Sequence, residues 1–225
     1  MKRKIGLITI GQSPRPDIVN EIKEILGLKL EIIESGALDG LSKEEVLALN
    51  SSSGPSRQGY LVTRLRDGTT VTVPKVCVVG RIGSVLQEFH NQNIGLAAVL
   101  CVGEFPEYSF DGVFIRPGEL LIQLVKALQI KGKGIIVIPL EEERQSAARR
   151  WDLPGLDCKI KVLPSGADWD LVCRLSEEVK AEDPGFVVLE CMGYTERMKA
   201  CIRNKVDCPV ILPKSLLAYV LKETM

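Results

Sequence analysis

Histidine is almost missing from this sequence: His90 is the single one in 225 residues. A zinc site with Cys and His at ligand spacing is therefore not expected, nor is a nucleophile driven by a histidine base. His90 itself reads as a surface residue near a helix end rather than a catalyst. Aromatics are scarce at 5%, and the formal net charge is +0 with no long run of one sign. Those shortages exclude a broad basic face for nucleic acid or an acidic membrane. No apolar run approaches the roughly 18 residues of a membrane-spanning helix. The first apolar run, residues 5–10, is too short for a signal peptide and breaks at Gly11-Gln12-Ser13-Pro14-Arg15-Pro16 without a cleavage site. A cytoplasmic location is the expectation. The same turn lacks the Gly-Lys-Ser/Thr ending of a phosphate loop. The seven cysteines are odd in number and contain no CxxC pair, so they read as reduced thiols.

What is present is an ordinary globular balance, 45% hydrophobic and 26% charged. The length suits one large α/β domain or two small halves, with a core that needs no metal or disulfide. Apolar strand patterns fall at 5–10, 30–34, 95–102, 113–115, 134–138, 158–163, 186–189 and 209–212. Helical patterns fall at 17–26 with Asp17 as cap, 75–91, 117–128, 141–151, 168–182, 195–204 and 215–222. Within 75–91 the expected buried stripe is Val76, Val79, Ile82, Leu86 and Phe89. Ser42 and Glu45 form a capping box for a short helix. Residues 51–57 read as a polar loop, and Asp67-Gly68 joins 60–65 to 69–73 as a hairpin. Strands alternating with helices predict an α/β fold with parallel sheets flanked by helices.

The two halves echo one another. Ala98-Val99-Leu100-Cys101-Val102-Gly103 and Val187-Val188-Leu189-Glu190-Cys191-Met192-Gly193 both run an apolar strand into Cys-x-Gly. Each half also opens with an apolar strand ending in a polar, proline-containing turn. This predicts a duplicated unit: an N-terminal lobe at 1–116 and a C-terminal lobe at 117–225, the final helix being free to pack back on the first. Ligands on open parallel sheets bind beyond the carboxyl ends of the strands, where Cys101 and Cys191 fall. The glycine after each lets backbone N–H groups approach an anion, and such surroundings favour a thiolate.

In these residues the sequence resembles the AroM family along nearly its whole length. The matching pieces are Leu7-Ile8-Thr9-Ile10-Gly11, Leu41-Ser42-Lys43-Glu44-Glu45-Val46, Val137-Ile138-Pro139-Leu140-Glu141-Glu142, Trp151, and Leu189-Glu190-Cys191-Met192-Gly193-Tyr194. That family is similar to the aspartate/glutamate/hydantoin racemase superfamily. The resemblance implies two similar lobes with a ligand cleft between them and one cysteine from each. One thiolate removes an α-proton while the other thiol returns one, with no cofactor and no metal. Carried over by motif, Cys101 and Cys191 are the catalytic pair. Gly11, Gln12, Ser13 and Arg15, with Gly103, Gly193 and Tyr194, would hold a substrate carboxylate. Racemases of that superfamily usually continue Cys-Asn-Thr and Cys-Thr-His, whereas this chain has Cys-Val-Gly and Cys-Met-Gly. The fold therefore carries over further than the racemization.

Two functions stay open. One is a cofactor-independent racemase or isomerase, or a related decarboxylase or lyase, acting on a small carboxylate. The other is a non-catalytic small-anion-binding or regulatory protein on the same fold. Both imply a small-molecule carboxylate as partner, without nucleic acid or membrane, and are compatible with a homodimer. Each site residue also has a plainer role. Cys101 and Cys191 could be small buried hydrophobes, and Arg15 a solvated loop residue. Arg81 and Ser84 could be a helix surface, and Glu104, Glu107 and Glu196 first-turn charges. Cys77, Cys158, Cys173, Cys201 and Cys208 read as packing residues.

Overall fold

The chain is described by a computed structural model that covers residues 4–27, 30–52, 59–130 and 132–225. It divides into two compact units. Unit 1 holds residues up to Pro16 and from Leu28 to Arg116; unit 2 holds Asp17–Gly27 and Pro117–Met225.

Unit 1 is built on four parallel strands, β1 (Lys4–Thr9), β2 (Glu31–Gly36), β5 (Leu96–Val99) and β6 (Val113–Ile115), in the order β2-β1-β5-β6. Buried on both faces, β1 carries an unbroken apolar run, as an interior parallel strand must. The hairpin β3 (Tyr60–Arg64) and β4 (Thr70–Pro74) turns at Asp67-Gly68, where Gly68 takes φ +86°. Helix α2 (Lys43–Ser52) begins with the predicted capping box: Ser42 N–H donates to Glu45 (2.7 Å) and Glu45 N–H to Ser42 Oγ (3.2 Å). Residues 51–52 complete this helix rather than starting the polar loop, whose remaining residues 53–57 lie outside the described residues. Helix α3 (Lys75–Asn91) buries Val78, Ile82, Val85, Leu86 and Phe89. Val76 is 45% exposed, because the buried arc turned out to run through Val78 and Val85. β5 is shorter than its apolar run. After Val99 only Leu100 keeps a ladder bond, to the Ile8 carbonyl (2.7 Å), and the chain then turns at Cys101.

Unit 2 repeats the plan with β7 (Gly132–Ile138), β8 (Leu156–Val162), β9 (Phe186–Leu189) and β10 (Val210–Ile211), all parallel in the order β10-β9-β7-β8. Read in chain order, both sheets place their strands second, first, third, fourth. The helices of unit 2 are α1 (Pro16–Leu26), α4 (Pro117–Ala127), α5 (Arg144–Arg150), α6 (Trp169–Ala181), α7 (Glu196–Arg203) and α8 (Pro213–Glu223). Asp168 caps α6 by accepting from Leu171 N–H (2.8 Å), and Thr195 caps α7 by accepting from Met198 N–H (3.2 Å). The 141–151 helix opens instead as a 3₁₀ turn at Glu141–Glu143. Helix α1 starts at Pro16, so Asp17 lies in its first turn and not at its cap. This helix belongs to unit 2 although its neighbours in sequence belong to unit 1. Its Glu21 pairs with the fully buried Lys214 of α8 (3.1 Å), and Lys214 also donates to the Asp17 carbonyl (3.3 Å). Helix α8 packs on α4, inside unit 2. Among the described residues no helix is long and apolar enough to cross a membrane.

Candidate functional site

In a sheet ordered second-first-third-fourth, the chain winds away in opposite directions from the first and third strands. The carboxyl ends of those two strands flank a crevice where ligands bind. In unit 1 these strands are β1 and β5, and the turns that leave them carry residues 11–15 and Cys101. In unit 2 they are β7 and β9, followed by residues 139–143 and Cys191.

The two cysteines occupy the same local frame. Gly103 N–H donates to Cys101 Sγ (3.4 Å), and Gly193 N–H donates to Cys191 Sγ (3.3 Å). A backbone N–H aimed at sulfur favours the charged form of the thiol. The position before each cysteine makes the last ladder bond: Leu100 N–H to Ile8 O, and Glu190 N–H to Val137 O, both 2.7 Å. Both cysteines are half-buried, and all seven cysteines are outside disulfides. The residue after each is buried and apolar, Val102 and Met192.

The turn after β1 is braced by a residue the sequence did not single out. Asp39 accepts from Ser13 N–H (2.9 Å), Ser13 Oγ (2.5 Å), Gly36 N–H (2.7 Å) and Arg66 (3.3 Å). Arg66 also donates to the Ser13 carbonyl (2.7 Å). The Gln12 amide donates to Leu41 O (2.8 Å) and Leu38 O (3.3 Å) and accepts from Arg66 N–H (2.9 Å). Ser13 and Gln12 thus serve the turn itself. Arg15 is half-buried, and its N–H donates to Glu34 (2.7 Å). A Cβ on Gly11 would lie 2.3 Å from the Arg64 carbonyl, so the hairpin closes over this turn only because residue 11 is glycine. Arg81 donates to the Ala37 and Asp39 carbonyls, which fixes the next loop. A cavity of about 310 Å³ is lined by Ser35, Gly36, Asp39, Arg81, Ser84 and Glu88 among others. Glu104, Glu107 and His90 are exposed.

In unit 2, Tyr194 is fully buried and its hydroxyl donates to the Leu163 carbonyl (2.5 Å). Burial first, then the negative charges of Cys191, Glu143 and Glu190, push its phenol up. The ring therefore supports the cysteine turn from the core side. Ser165 stands over the same turn: a Cβ on Gly193 would meet its Cβ at 3.1 Å, with Cys191 Sγ at 3.5 Å. Glu190 is 1% exposed; its Oε1 accepts from Arg150 Nε (2.7 Å) and Trp151 Nε1 (2.9 Å). Burial pushes the Glu143 carboxyl up, Arg150 opposes that, and Glu190 adds to it. The signal for Glu190 was a carboxylate inside an apolar strand end. Asp39 and Ser165 left no such mark. Among the described residues no group of three His, Cys, Asp or Glu side chains gathers as a metal-ligand set.

The fold is shared with solved isomerase, decarboxylase and racemase structures. A maleate cis-trans isomerase mutant of Nocardia farcinica with a covalently bound succinylcysteine intermediate is 11% identical, covering 100% of this chain and 93% of its own, with a TM-score of 0.64. Arylmalonate decarboxylase is 13% identical over 98% and 91%, at 0.61. The Picrophilus torridus aspartate racemase is 12% identical over 99% and 94%, at 0.58. The AroM protein profile matches residues 5–225, and the chain belongs to that family. No curated protein resembles it closely enough to match.

Proposed function

We propose that this protein moves a proton to or from the carbon next to a small carboxylate, as a cofactor-independent isomerase or racemase or a related decarboxylase, with Cys101 and Cys191 as the proton carriers. The observation that carries this reading is the repeated turn: a thiol past the third strand of each sheet, with a glycine N–H aimed at its sulfur. A thiolate there can accept an α-proton and become a thiol, leaving the electron pair on the substrate as an enediolate. Return of a proton from a thiol completes an isomerization; where carbon dioxide leaves in place of the first proton, the same enediolate forms and a proton from a thiol completes a decarboxylation. The fold neighbours include an isomerase, a racemase and a decarboxylase, which supports the same chemistry. Gly11, Arg15, Gly103 and Gly193 are proposed to border the carboxylate, the Arg15 guanidinium pairing with it and the glycines leaving room for it beside the turns. Gln12, Ser13 and Tyr194 shape those turns. The location that fits a reduced two-thiol enzyme is the cytoplasm.

The buried, apolar Val102 and Met192 favour a second reading, a small-anion-binding protein without catalysis, because neither turn places a polar side chain directly after its thiol. One experiment separates the two. Small dicarboxylates and amino acids are screened by thermal shift, and each hit is incubated in deuterated water to follow exchange at Cα. On the first reading exchange occurs and falls by about 10²–10⁴-fold in Cys191→Ser and in Cys101→Ser. A hit without exchange in the wild type gives the second reading.

A further inference from the structure

The two thiol turns share a backbone frame but not their neighbours. Each ends in a glycine whose N–H is turned toward the sulfur, so that glycine offers a ligand space and not a donor. In unit 1 the point where a side chain on Gly103 would begin is bounded by Cys101 Sγ (3.5 Å), Leu61 Cδ2 (3.6 Å) and Phe105 Cε2 (3.6 Å). Beside the sulfur, that space is apolar. In unit 2 the matching point at Gly193 is bounded by Ser165 Cβ (3.1 Å), Cys191 Sγ (3.5 Å) and Ser165 Oγ (3.5 Å). One hydroxyl and one thiol thus flank the same small space.

Ser165 is set there by the fold. Past the end of β8 one further bond joins Leu163 N–H to Ile138 O (2.9 Å), and a tight turn closed by Ala167 N–H on Pro164 O (2.9 Å) then carries Ser165. The buried Tyr194 donates its hydroxyl to the Leu163 carbonyl (2.5 Å) and its N–H to the Cys191 carbonyl (3.3 Å). One residue therefore ties the Ser165 loop to the Cys191 turn. The Ser165 side chain is half-buried, yet among the described residues its hydroxyl has no hydrogen-bond partner. A polar group fixed beside a reactive atom and engaged in no internal bond is available to a ligand. The apolar walls at Gly103 show that the backbone plan does not need a hydroxyl at this place.

We propose that Ser165 is a substrate-binding residue of the Cys191 site, its hydroxyl donating to a carboxylate of a small acid whose α-carbon faces the thiol. The hydroxyl comes from the loop between β8 and α6 and stands in for the polar side chain that the buried Met192 does not provide directly after the cysteine. A serine gives one O–H to a carboxylate oxygen, and Gly193 leaves room for that oxygen. Unit 1 has Leu61 and Phe105 at the matching place, so the contact is particular to Cys191. The part Ser165 plays in a reaction rests on the reading of Cys191 as a proton carrier; the carboxylate contact does not.

The test uses the full chain and two thiol reagents of nearly equal size, iodoacetate with its carboxylate and iodoacetamide with a neutral amide. Alkylation of Cys191 and Cys101 is followed by peptide mass spectrometry. Ser165→Ala should melt as the wild type does, because the hydroxyl makes no internal bond. It should slow iodoacetate at Cys191 by about tenfold, the worth of a hydrogen bond to a charged group. Iodoacetamide at Cys191, and both reagents at Cys101, should keep their rates. Ser165→Thr retains the hydroxyl and should recover most of the iodoacetate rate. An iodoacetate-to-iodoacetamide ratio at Cys191 that does not move in Ser165→Ala overturns the contact, as does an equal change at Cys101. A ratio that moves while the wild type shows no Cα exchange keeps the contact and sinks the proposed reaction alone. Exchange that persists with the ratio unmoved removes Ser165 and leaves the reaction standing.

Discussion

Helix α1 is tied to the second unit by a charge pair whose worth can be worked out from its burial. Lys214 has a fully buried side chain, and Glu21 is 25% exposed. Glu21→Gln keeps the shape and removes the countercharge, leaving a fully buried ammonium that faces the Asp17 carbonyl and a neutral amide. Removing one partner from a buried pair costs about 3–5 kcal/mol. The reverse change, Lys214→Met, strands a carboxylate that water still reaches and that still accepts from Glu196 N–H (3.2 Å), so about 1–3 kcal/mol is expected. The double variant should lose much less than the sum, because no lone buried charge remains. The assay is built in: the two tryptophans, Trp151 and Trp169, both lie in unit 2. Their fluorescence in urea follows that unit alone. With a slope of about 2 kcal/mol/M, Glu21→Gln should move the midpoint down by roughly 1.5–2.5 M. A shift under about 0.5 M, or additive losses in the double variant, would refute the claim that this pair anchors α1.

Two further outcomes follow from packing and from charge. A Cβ on Gly6 of β1 would lie 2.2 Å from the buried Phe89 ring, so Gly6→Ala should cost about 1–3 kcal/mol, and Phe89→Leu in the same chain should recover part of it. Hydrogen bonds from Lys133 and then Lys159 hold the Glu182 carboxyl down at about 2, below its usual 4.5. A depressed carboxylate stabilises above its unfolded value and stops doing so as pH falls through its folded one. The wild type should therefore melt above Glu182→Gln at neutral pH, and the two curves should meet as pH falls from about 4.5 to about 2. A gap that persists at the acid end would sink this assignment.

Most of the fold was legible because its strands are buried on both faces and bounded by turn residues. Residues 113–115 and 186–189 came out as read. The ends were less legible where apolar residues leave the ladder. Leu100, Cys101 and Val102 are as apolar as β5 itself, yet they form the turn that holds the thiol. Helix α1 follows β1 after one short turn, and only tertiary pairing, Glu21 with Lys214, shows which unit it joins. At the candidate site the backbone positions were readable from the Cys-x-Gly repeat, but the bracing side chains were not. Asp39 holds Ser13 from 26 residues away, and Glu190 holds Arg150 from 40, distances at which periodicity carries no information.

The duplication also says what to look for in the difference between the halves. Both thiols have the same backbone frame and nearly the same N–H···S distance. What stands behind them differs: apolar Leu100 in one unit, an acid with Arg150 and Trp151 in the other. A leucine leaves no polar group to satisfy, whereas the buried carboxylate ties its turn to Arg150 and Trp151. Cys101 is thus the control for Cys191 within one molecule. Iodoacetamide alkylation of Cys191 should change in Glu190→Gln, which disturbs the anchor to Arg150 and Trp151, while that of Cys101 should not. If both cysteines change together in that variant, Glu190 acts on the chain as a whole and not on the turn that it adjoins.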